Sequence, residues 1–412
     1  MGRYQPRNMI TLNQSAPPFD GFGRLRIGEP LTLFDSKLQY GKNELFWDEA
    51  TVSGSGFTST FLSDESAVQI ASDGTPGQFV RQTFQRFNYQ PGKSQAVTLT
   101  GVLDSGALDP GIFQVVTRSD TSGSPVDKVV NSDDFNGSQN PEGYGSSLRD
   151  FEPALDFTKS QIFTIDFEWL GVGQARMGVV RDGQPYIMHY FRNDNISDKV
   201  YMRTPNLPLR YEVEVTAEKI YKRLGYFDDN NGLFFQYEQE NTGACSLKAI
   251  CSTVISEGGQ TDSGTLRYIT TGTTALDATV AGTTYAVLGA RIASAELGSI
   301  VKLVDKSILG TTGDSFEWFI VYNPTIAGSV TWIPLANSSI EYFVGVPANT
   351  VTGGITTTGG FVYQRTAEQS QLTNQLRIGH TINGTPQVVT LCVRSLTNGL
   401  DVHGSLTVRE EE

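Results

Sequence analysis

The feature that most constrains this chain is an alternation of apolar and polar residues with a period of two. It is clear at residues 95–103, 162–170 and 211–215, and clusters of Gly, Asn, Asp and Pro separate such segments. Because successive side chains of a strand point to opposite faces, the pattern predicts many short β-strands joined by turns. In residues 211–215 it predicts that Glu212 and Glu214 face solvent.

One hairpin is predicted at residues 224–237, where the Asn-Gly pair at 231–232 separates two apolar runs. In the second half, strands are predicted to start near residues 265, 284, 300, 316, 330, 340, 387 and 404. Only residues 217–220 and 293–297 are candidates for short helices. The predicted fold class is therefore all-β: a jelly-roll or lectin-like β-sandwich with an extended N-terminal arm and a second, smaller β-domain.

The composition changes along the chain and predicts three segments. Residues 1–45 are rich in turns and aromatics and have little periodicity, which predicts an extended arm. Residues 46–255 are predicted to form the sandwich, with a long loop at 104–157 in which only 112–116 has a strand pattern. Residues 261–412 are predicted to form the second β-domain. Long loops of sandwiches are commonly contact or binding sites.

Charge and cysteine content exclude several classes of protein. The chain has 44 acidic and 31 basic residues, a formal charge of −13, which disfavours direct binding to nucleic acid. It has no run of 18 apolar residues for a membrane span, and its first residues lack the apolar segment of a secretory signal. Three cysteines are too few for a disulfide framework and are interpreted as buried small hydrophobes.

Two glycine-containing segments resemble cofactor loops but fail the full motifs. Gly92-Lys93-Ser94 has Phe87 where a phosphate-binding loop needs its first glycine, and a strand follows it. The segment 171–176 has Arg176 where the dinucleotide fingerprint needs its third glycine. Both are predicted to be turns, and no cofactor is predicted.

A pair of carboxylates is the only candidate for catalysis. Asp166 and Glu168 are two residues apart on a predicted strand, so they share a face, as the acid and nucleophile of some glycoside hydrolases do. Alternation alone explains the same spacing if Ile165, Phe167 and Trp169 enter the core and both acids face water. That interpretation is favoured, and no catalytic residue is predicted.

Metal sites are also disfavoured. The oxygens of residues 228–231 suit Ca²⁺, but the loop that would close on Glu240 has Phe234 where the sharp turn requires glycine. A plain turn is predicted there, and likewise at Asp133, Asp134 and Glu142. The three histidines lack the spacing of zinc ligands and are interpreted as structural; they are His189, His380 and His403.

Several phrases of the sequence resemble structural proteins in the virions of tailed bacteriophages. In the first half they are FDGFGRLRIGEP at residues 19–30, YQPGKSQ at 89–95 and IDFEWLGVG at 165–173. In the second half they include YNPT at 322–325 and GGFV at 359–362. The resemblance covers nearly the whole chain, and none of the phrases is a catalytic signature. It implies a virion component. The lack of a catalytic signature predicts that this component is not an enzyme, and the lack of a signal segment predicts that it assembles in the host cytoplasm.

Within a virion, the first hypothesis places the chain in the tail, baseplate or fibre apparatus. The alternatives are a capsid decoration or head-fibre protein and a carbohydrate-binding or glycan-depolymerising β-sandwich that meets a host-surface glycan. Expected partners are other virion proteins and further copies of the chain, in a trimer or a ring. Apolar and basic side chains of the arm are predicted to dock onto a neighbour: Phe19, Phe22, Arg24, Leu25, Arg26 and Ile27.

Overall fold

A computed structural model describes residues 29–103, 111–137, 155–312, 315–363 and 366–411. The predicted docking residues lie outside these ranges: Phe19, Phe22, Arg24, Leu25, Arg26 and Ile27. Within the ranges, the structure contains no helix of the length and apolar character that a membrane crossing requires.

Strands make up most of the described chain. The first fifteen are β1 (Leu31–Lys37), β2 (Trp47–Gly54), β3 (Phe57–Leu62), β4 (Ala67–Ser72), β5 (Gly77–Thr83), β6 (Gln95–Val102), β7 (Ile112–Ser119), β8 (Val126–Asn131), β9 (Gln161–Phe167), β10 (Ala175–Arg181), β11 (Gln184–Phe191), β12 (Leu209–Val215), β13 (Lys219–Phe227), β14 (Gly232–Glu240) and β15 (Cys245–Ser256). The others are β16 (Thr265–Thr270), β17 (Leu276–Ala278), β18 (Thr284–Ile292), β19 (Ile300–Gly310), β20 (Phe316–Tyr322), β21 (Thr325–Ile326), β22 (Ile333–Pro334), β23 (Ile340–Val344), β24 (Val351–Thr352), β25 (Ile355–Val362), β26 (Ala367–Ile378), β27 (Val389–Ser395) and β28 (Leu400–Glu411). The one helical segment in the described ranges is a 3₁₀ turn at Ser132–Asp134. The all-β fold class is confirmed.

The chain divides into two compact units. Unit 1 comprises residues up to Asn43 together with Glu49–Arg81 and Tyr89–Thr261. Unit 2 comprises Glu44–Asp48, Gln82–Asn88 and the chain from Asp262 onward. The sequence predicts modules that are continuous in the chain, whereas unit 2 takes two short segments from the first half. The described part of the predicted arm contains strand β1, which pairs antiparallel with β15 in unit 1.

Unit 1 is a β-sandwich of two sheets. Sheet A has the order β11-β10-β9-β6-β15-β4-β3, with β1 beside β15, and sheet B has the order β2-β5-β12-β13-β14-β7-β8. Aromatic rings from the two sheets meet in the core: Phe163 of sheet A lies 5.0 Å from Phe235 of sheet B, and Phe167 lies 5.5 Å from Tyr226. The alternation places these side chains on the inner faces of both sheets.

The outer face of sheet B carries a row of buried polar side chains. Glu212 is fully buried there, so the prediction that it faces solvent is wrong. The row continues across neighbouring strands: Arg223 donates to Gln236 (2.5 Å), Gln236 donates to Gln114 (2.6 Å), and Gln114 donates to Asn131 (2.9 Å). The alternation predicts on which face of a strand a side chain lies. It does not predict whether side chains of the neighbouring strands cover that side chain.

Two arginines hold Glu212 in its charged form. Nη1 of Arg223 lies 2.5 Å from Oε1 of Glu212, and Nη1 of Arg210 lies 3.1 Å from Oε2. Burial raises the pKa of Glu212, but the charges of Arg223 and Arg210 outweigh burial and lower the pKa to about 2. The ion pairs therefore stabilise the fold fully above the ordinary glutamate pKa, and this contribution is lost as the pH falls through about 2.

Replacing Glu212 should destabilise unit 1 more than replacing its neighbour on the same strand. Glu212→Gln should lower the free energy of unfolding by about 3–5 kcal/mol, because it removes the fully buried carboxylate from two buried arginines and leaves each with a more exposed acid, Asp229 or Glu214. Glu214 also binds Arg223, at 2.6 Å, but its side chain is 35% exposed. Glu214→Gln should therefore cost about 1 kcal/mol or less. Urea unfolding of both variants checks this, and equal losses would contradict it.

Unit 2 is a second sandwich. Sheet C has the order β16-β28-β19-β26, with β17 beside β28, and sheet D has the order β22-β23-β18-β27-β20-β25; β21 and β24 form a separate pair. The core between the sheets contains Leu303 and Val408 from sheet C and Ile320 and Leu391 from sheet D. Trp318 of sheet D also donates from Nε1 to Glu368 of sheet C, at 2.9 Å. The buried faces of sheets C and D are thus joined by apolar and polar contacts.

The predicted elements agree with the structure where alternation is strong. The hairpin is confirmed, with Phe227 opposite Gly232, and strands begin within about four residues of each predicted start in unit 2. The two candidate helices are wrong: residues 219–220 begin β13, and 293–297 form turns. The segment 104–157 contains β8 as well as β7. Strands β25 and β26 were missed because Thr, Gly and Gln give them no apolar alternation.

Candidate functional site

The structure buries the candidate catalytic carboxylates. Asp166 lies on β9, and its Oδ2 is 2.5 Å from Nη2 of Arg176 on β10. Glu168 follows the end of β9 and is also buried. Ile165 and Phe167 enter the core as predicted, but the expectation that both acids face water is wrong. The Asp166 carboxylate is part of a cross-strand ion pair.

The candidate Ca²⁺ turn is held by its own oxygens. Oδ1 of Asp228 accepts hydrogen bonds from the backbone N–H groups of Asn230 and Asn231, both at 2.8 Å. Oδ1 of Asp229 lies 2.5 Å from Nη1 of Arg210. These contacts fix the predicted β13–β14 turn. Across the described residues, His, Cys, Asp and Glu form no group of three or more in positions to hold a metal ion.

Both glycine-containing segments form turns. The backbone N–H of Lys93 donates to the carbonyl of Gln90 at 3.1 Å, and Gly92 between them has a φ of +82°. Gly171 has a φ of +80° in the connection between β9 and β10. A positive φ suits glycine, which has no Cβ to clash with the backbone. The side chain of Lys93 binds Gln90, at 2.8 Å.

All three cysteines are free thiols. Cys245 and Cys392 are buried, as predicted. Cys251 is exposed, so its interpretation as a buried hydrophobe is wrong. It lies on β15, where the alternating side chains of the long strand point either into the core or away from it.

The three histidines occupy separate places. His380 of unit 2 is buried, and its Nε2 accepts a hydrogen bond from Nε of Arg86 at 3.4 Å. His403 of unit 2 lies 3.5 Å from the hydroxyl of Thr271. His189 belongs to unit 1. Each histidine ring therefore has its own local contacts.

His189 is the histidine whose environment changes its chemistry. It lies on β11 with Phe191 edge-on at 4.6 Å and Phe135 at 6.0 Å, and its Nδ1 accepts from the backbone N–H of Asn136 at 3.4 Å. Burial and the charge of Lys128 lower the pKa of His189 to about 4. The ring is therefore neutral in the folded protein near neutral pH.

This histidine should make the fold sensitive to mild acid. Its pKa is about 4 when folded and about 6.5 when unfolded, so the unfolded state binds more protons between these values. The stabilisation is complete above about pH 6.5 and is lost as the pH falls toward about 4. His189→Gln should lose less unfolding free energy than the wild type between about pH 7 and about pH 4.5 in chemical denaturation. Parallel losses would contradict the assignment.

An open groove lies on the outer face of sheet D and has a volume of about 650 Å³. Phe319 and Val321 contribute apolar surface, and the edge strand β25 supplies Gly359 and Gly360. Polar side chains surround this surface, and they are Thr284, Thr352, Thr356, Thr357, Thr358, Glu317 and Arg394.

The strand register brings one row of the groove together. Phe361 of β25 is opposite Glu317 of β20, Glu317 is opposite Arg394 of β27, and Arg394 is opposite Thr284 of β18. Their neighbours Phe316 and Val393 point into the core of unit 2, so this row lies on the outer face. Phe361 is 69% exposed. An aromatic ring thus stands at one end of a row of charged and hydroxyl groups.

An ion pair crosses the middle of this row. Nε and Nη2 of Arg394 both donate to Oε2 of Glu317, the former at 2.9 Å. The guanidinium lies over the ring of Phe319, 5.7 Å from its centroid. The side chain of Arg394 is 45% exposed and that of Glu317 is 25% exposed. Both charged groups therefore present part of their surface to a ligand in the groove.

Apolar ring surface, hydroxyls and a charged pair in one open groove are suited to an amphipathic, hydroxyl-rich ligand. Sequence reasoning did not find this site, because its residues come from five strands that are spread over more than a hundred residues of the chain. The Thr-Thr-Thr-Gly-Gly run of β25 was the only local signal. The groove becomes visible only when the register of sheet D is known.

Comparison with known proteins gives no family. No family model and no curated protein matches the chain. Among solved structures, a winged bean acidic lectin complexed with methyl-alpha-D-galactose has 9% identity and a TM-score of 0.21, covering 55% of this chain and 98% of its own. The CBM2 module of the evolved Dit of Lactobacillus casei BL23 phage J-1 has 6% identity and a TM-score of 0.20, covering 57% and 98%. TM-scores this low define neither fold nor function for this chain.

Proposed function

We propose that the protein is a structural component of a tailed-bacteriophage virion, in the tail, baseplate or fibre apparatus, and that the groove on sheet D binds a glycan of the host surface. The virion assignment is supported by the sequence phrases that resemble phage structural proteins. The groove supports the glycan assignment, and the row Phe361–Glu317–Arg394–Thr284 is the observation that carries it.

A sugar matches the groove in shape and chemistry. The C–H face of a pyranose packs on an aromatic ring, and Phe361 offers a ring that is largely exposed. Sugar hydroxyls both donate and accept hydrogen bonds, as do the threonine hydroxyls that line the groove. An open groove admits a polymer along its length, whereas an enclosed pocket takes only a chain end. A surface polysaccharide therefore fits this site.

We propose binding without cleavage. Glycoside hydrolysis of the common kind requires two carboxyl groups on either side of the scissile bond. Among the described residues that line the groove, Glu317 is the only acid, and it is paired with Arg394. In unit 1, Asp166 is paired with Arg176. A binding protein on a particle does not need to cleave its ligand in order to hold the particle at a cell.

Assembly would strengthen a weak site. An open, shallow groove holds few groups of a ligand, so a single copy is expected to bind modestly. A trimer or ring places several grooves on one particle, and simultaneous binding raises the overall affinity by orders of magnitude. In this proposal the predicted docking residues between Phe19 and Ile27 hold each copy to other virion proteins.

Removing the exposed ring should weaken glycan binding. Phe361→Ala should reduce the affinity about tenfold for a polysaccharide identified on a glycan array, because it removes one aromatic contact of about 1.4 kcal/mol. Tyr363→Ala is the matched control: Tyr363 is 73% exposed, two residues further along the chain, and does not line the groove. Biolayer interferometry measures both. Equal effects, or no binding by the wild type to any glycan, would contradict the proposed site.

The place in the virion can be measured directly. Gold-labelled antibody against the purified chain should mark the tail end of particles in electron microscopy. Label spread over the head would contradict the tail assignment and favour a capsid decoration protein. Particles without label would exclude a virion component and leave a glycan-binding protein outside the particle.

A further inference from the structure

We infer that the groove selects neutral glycans and rejects acidic ones, an inference that rests on the proposed glycan-binding function. The selection arises from the ion pair between Glu317 and Arg394, which crosses the row of groove residues. Three features of this pair favour a neutral sugar: its balanced charge, its remaining hydrogen-bonding atoms and the packing that holds its side chains in place.

The positive charge in the groove is already compensated. Recognition of a carboxylate or phosphate commonly depends on an arginine whose donors are available in pairs. Here one such pair, Nε and Nη2 of Arg394, is engaged by Oε2 of Glu317, which holds a negative charge against the guanidinium. An anionic sugar would have to displace Glu317 or lie beside its negative charge. Both alternatives oppose the binding of an acidic glycan.

The remaining atoms of the pair suit a hydroxyl group. Across the residues that the structure describes, neither Nη1 of Arg394 nor Oε1 of Glu317 has a hydrogen-bond partner. Nη1 is a donor and Oε1 is an acceptor, so adjacent sugar hydroxyls satisfy both. A carboxylate satisfies only the donor. Hydrogen bonds to charged groups are also the stronger ones, so the pair can contribute substantially to the binding of a neutral sugar.

Packing holds the pair in this arrangement. The guanidinium of Arg394 lies over Phe319, which is almost fully buried. Arg394 and Glu317 are directly opposite each other on adjacent strands. Thr284 lies on the other side of Arg394 in the same row. A ligand therefore meets a preformed donor and acceptor, and little side-chain ordering is required on binding.

The test compares each neutral polysaccharide of a panel with the same polymer after its primary hydroxyls have been oxidised to carboxylates. The full chain should bind the neutral form at least about tenfold more tightly, since like charges oppose association. Equal or tighter binding of the oxidised form would overturn the inference and leave the glycan-binding function intact. Binding to neither form of any polymer would overturn the proposed function itself.

A charge-removing variant tests whether the pair is responsible. Glu317→Gln removes the repelling carboxylate and leaves Arg394 uncompensated, so the preference for the neutral form should fall about tenfold or reverse. Glu341→Gln is the matched control, because Glu341 pairs with Arg291 on sheet D at 2.7 Å and lies outside the groove. It makes the same change in net charge. Equal changes of preference in the two variants would overturn the assignment to the groove pair.

Discussion

The last strand of each unit lies in the middle of a sheet, and both sandwiches depend on this placement. In unit 1, β15 pairs with β6 on one edge and with β4 and β1 on the other. In unit 2, β28 pairs with β19 on one edge and with β16 and β17 on the other. Neither sheet is complete until the final strand has joined partners far back in the chain. Such long-range pairing carries a large loop-closure entropy and is typical of slow, cooperative folding.

The groove on sheet D also depends on the placement of the final strand of unit 2. Val408 and Leu406 of β28 lie in the core of unit 2 with Trp318, Ile320 and Leu391, which are on the inner faces of the strands that carry the groove. Because successive residues of a strand face opposite ways, the position of Glu317 and Phe319 on the outer face follows from the burial of their neighbours. The final strand thus helps to fix a surface that it does not touch.

Arginines paired with acids also cover aromatic rings on the outer faces of both sandwiches. In unit 1, Arg118 lies 5.1 Å from the ring of the buried Phe234 and is bound to Asp127. In unit 2, Arg291 lies 4.0 Å from Trp332 and is paired with Glu341. Alternation predicted the strands and the inner faces, since these follow from local apolar spacing. It could not predict which arginine covers which ring, because each contact depends on which strands become neighbours. The burial of Glu212 and the existence of the groove were missed for the same reason.

The net charge of the chain limits which forces can hold a ligand in the groove. A formal charge of −13 provides no long-range attraction to an anionic surface, and at physiological ionic strength charges further apart than about 8 Å are largely screened. The adhesion to a cell surface proposed above must then come from short-range contacts. A charge-balanced pair beside an exposed ring would supply such contacts to neutral sugars. Repetition of the site in an assembly would supply the remaining affinity, since avidity does not depend on electrostatic steering.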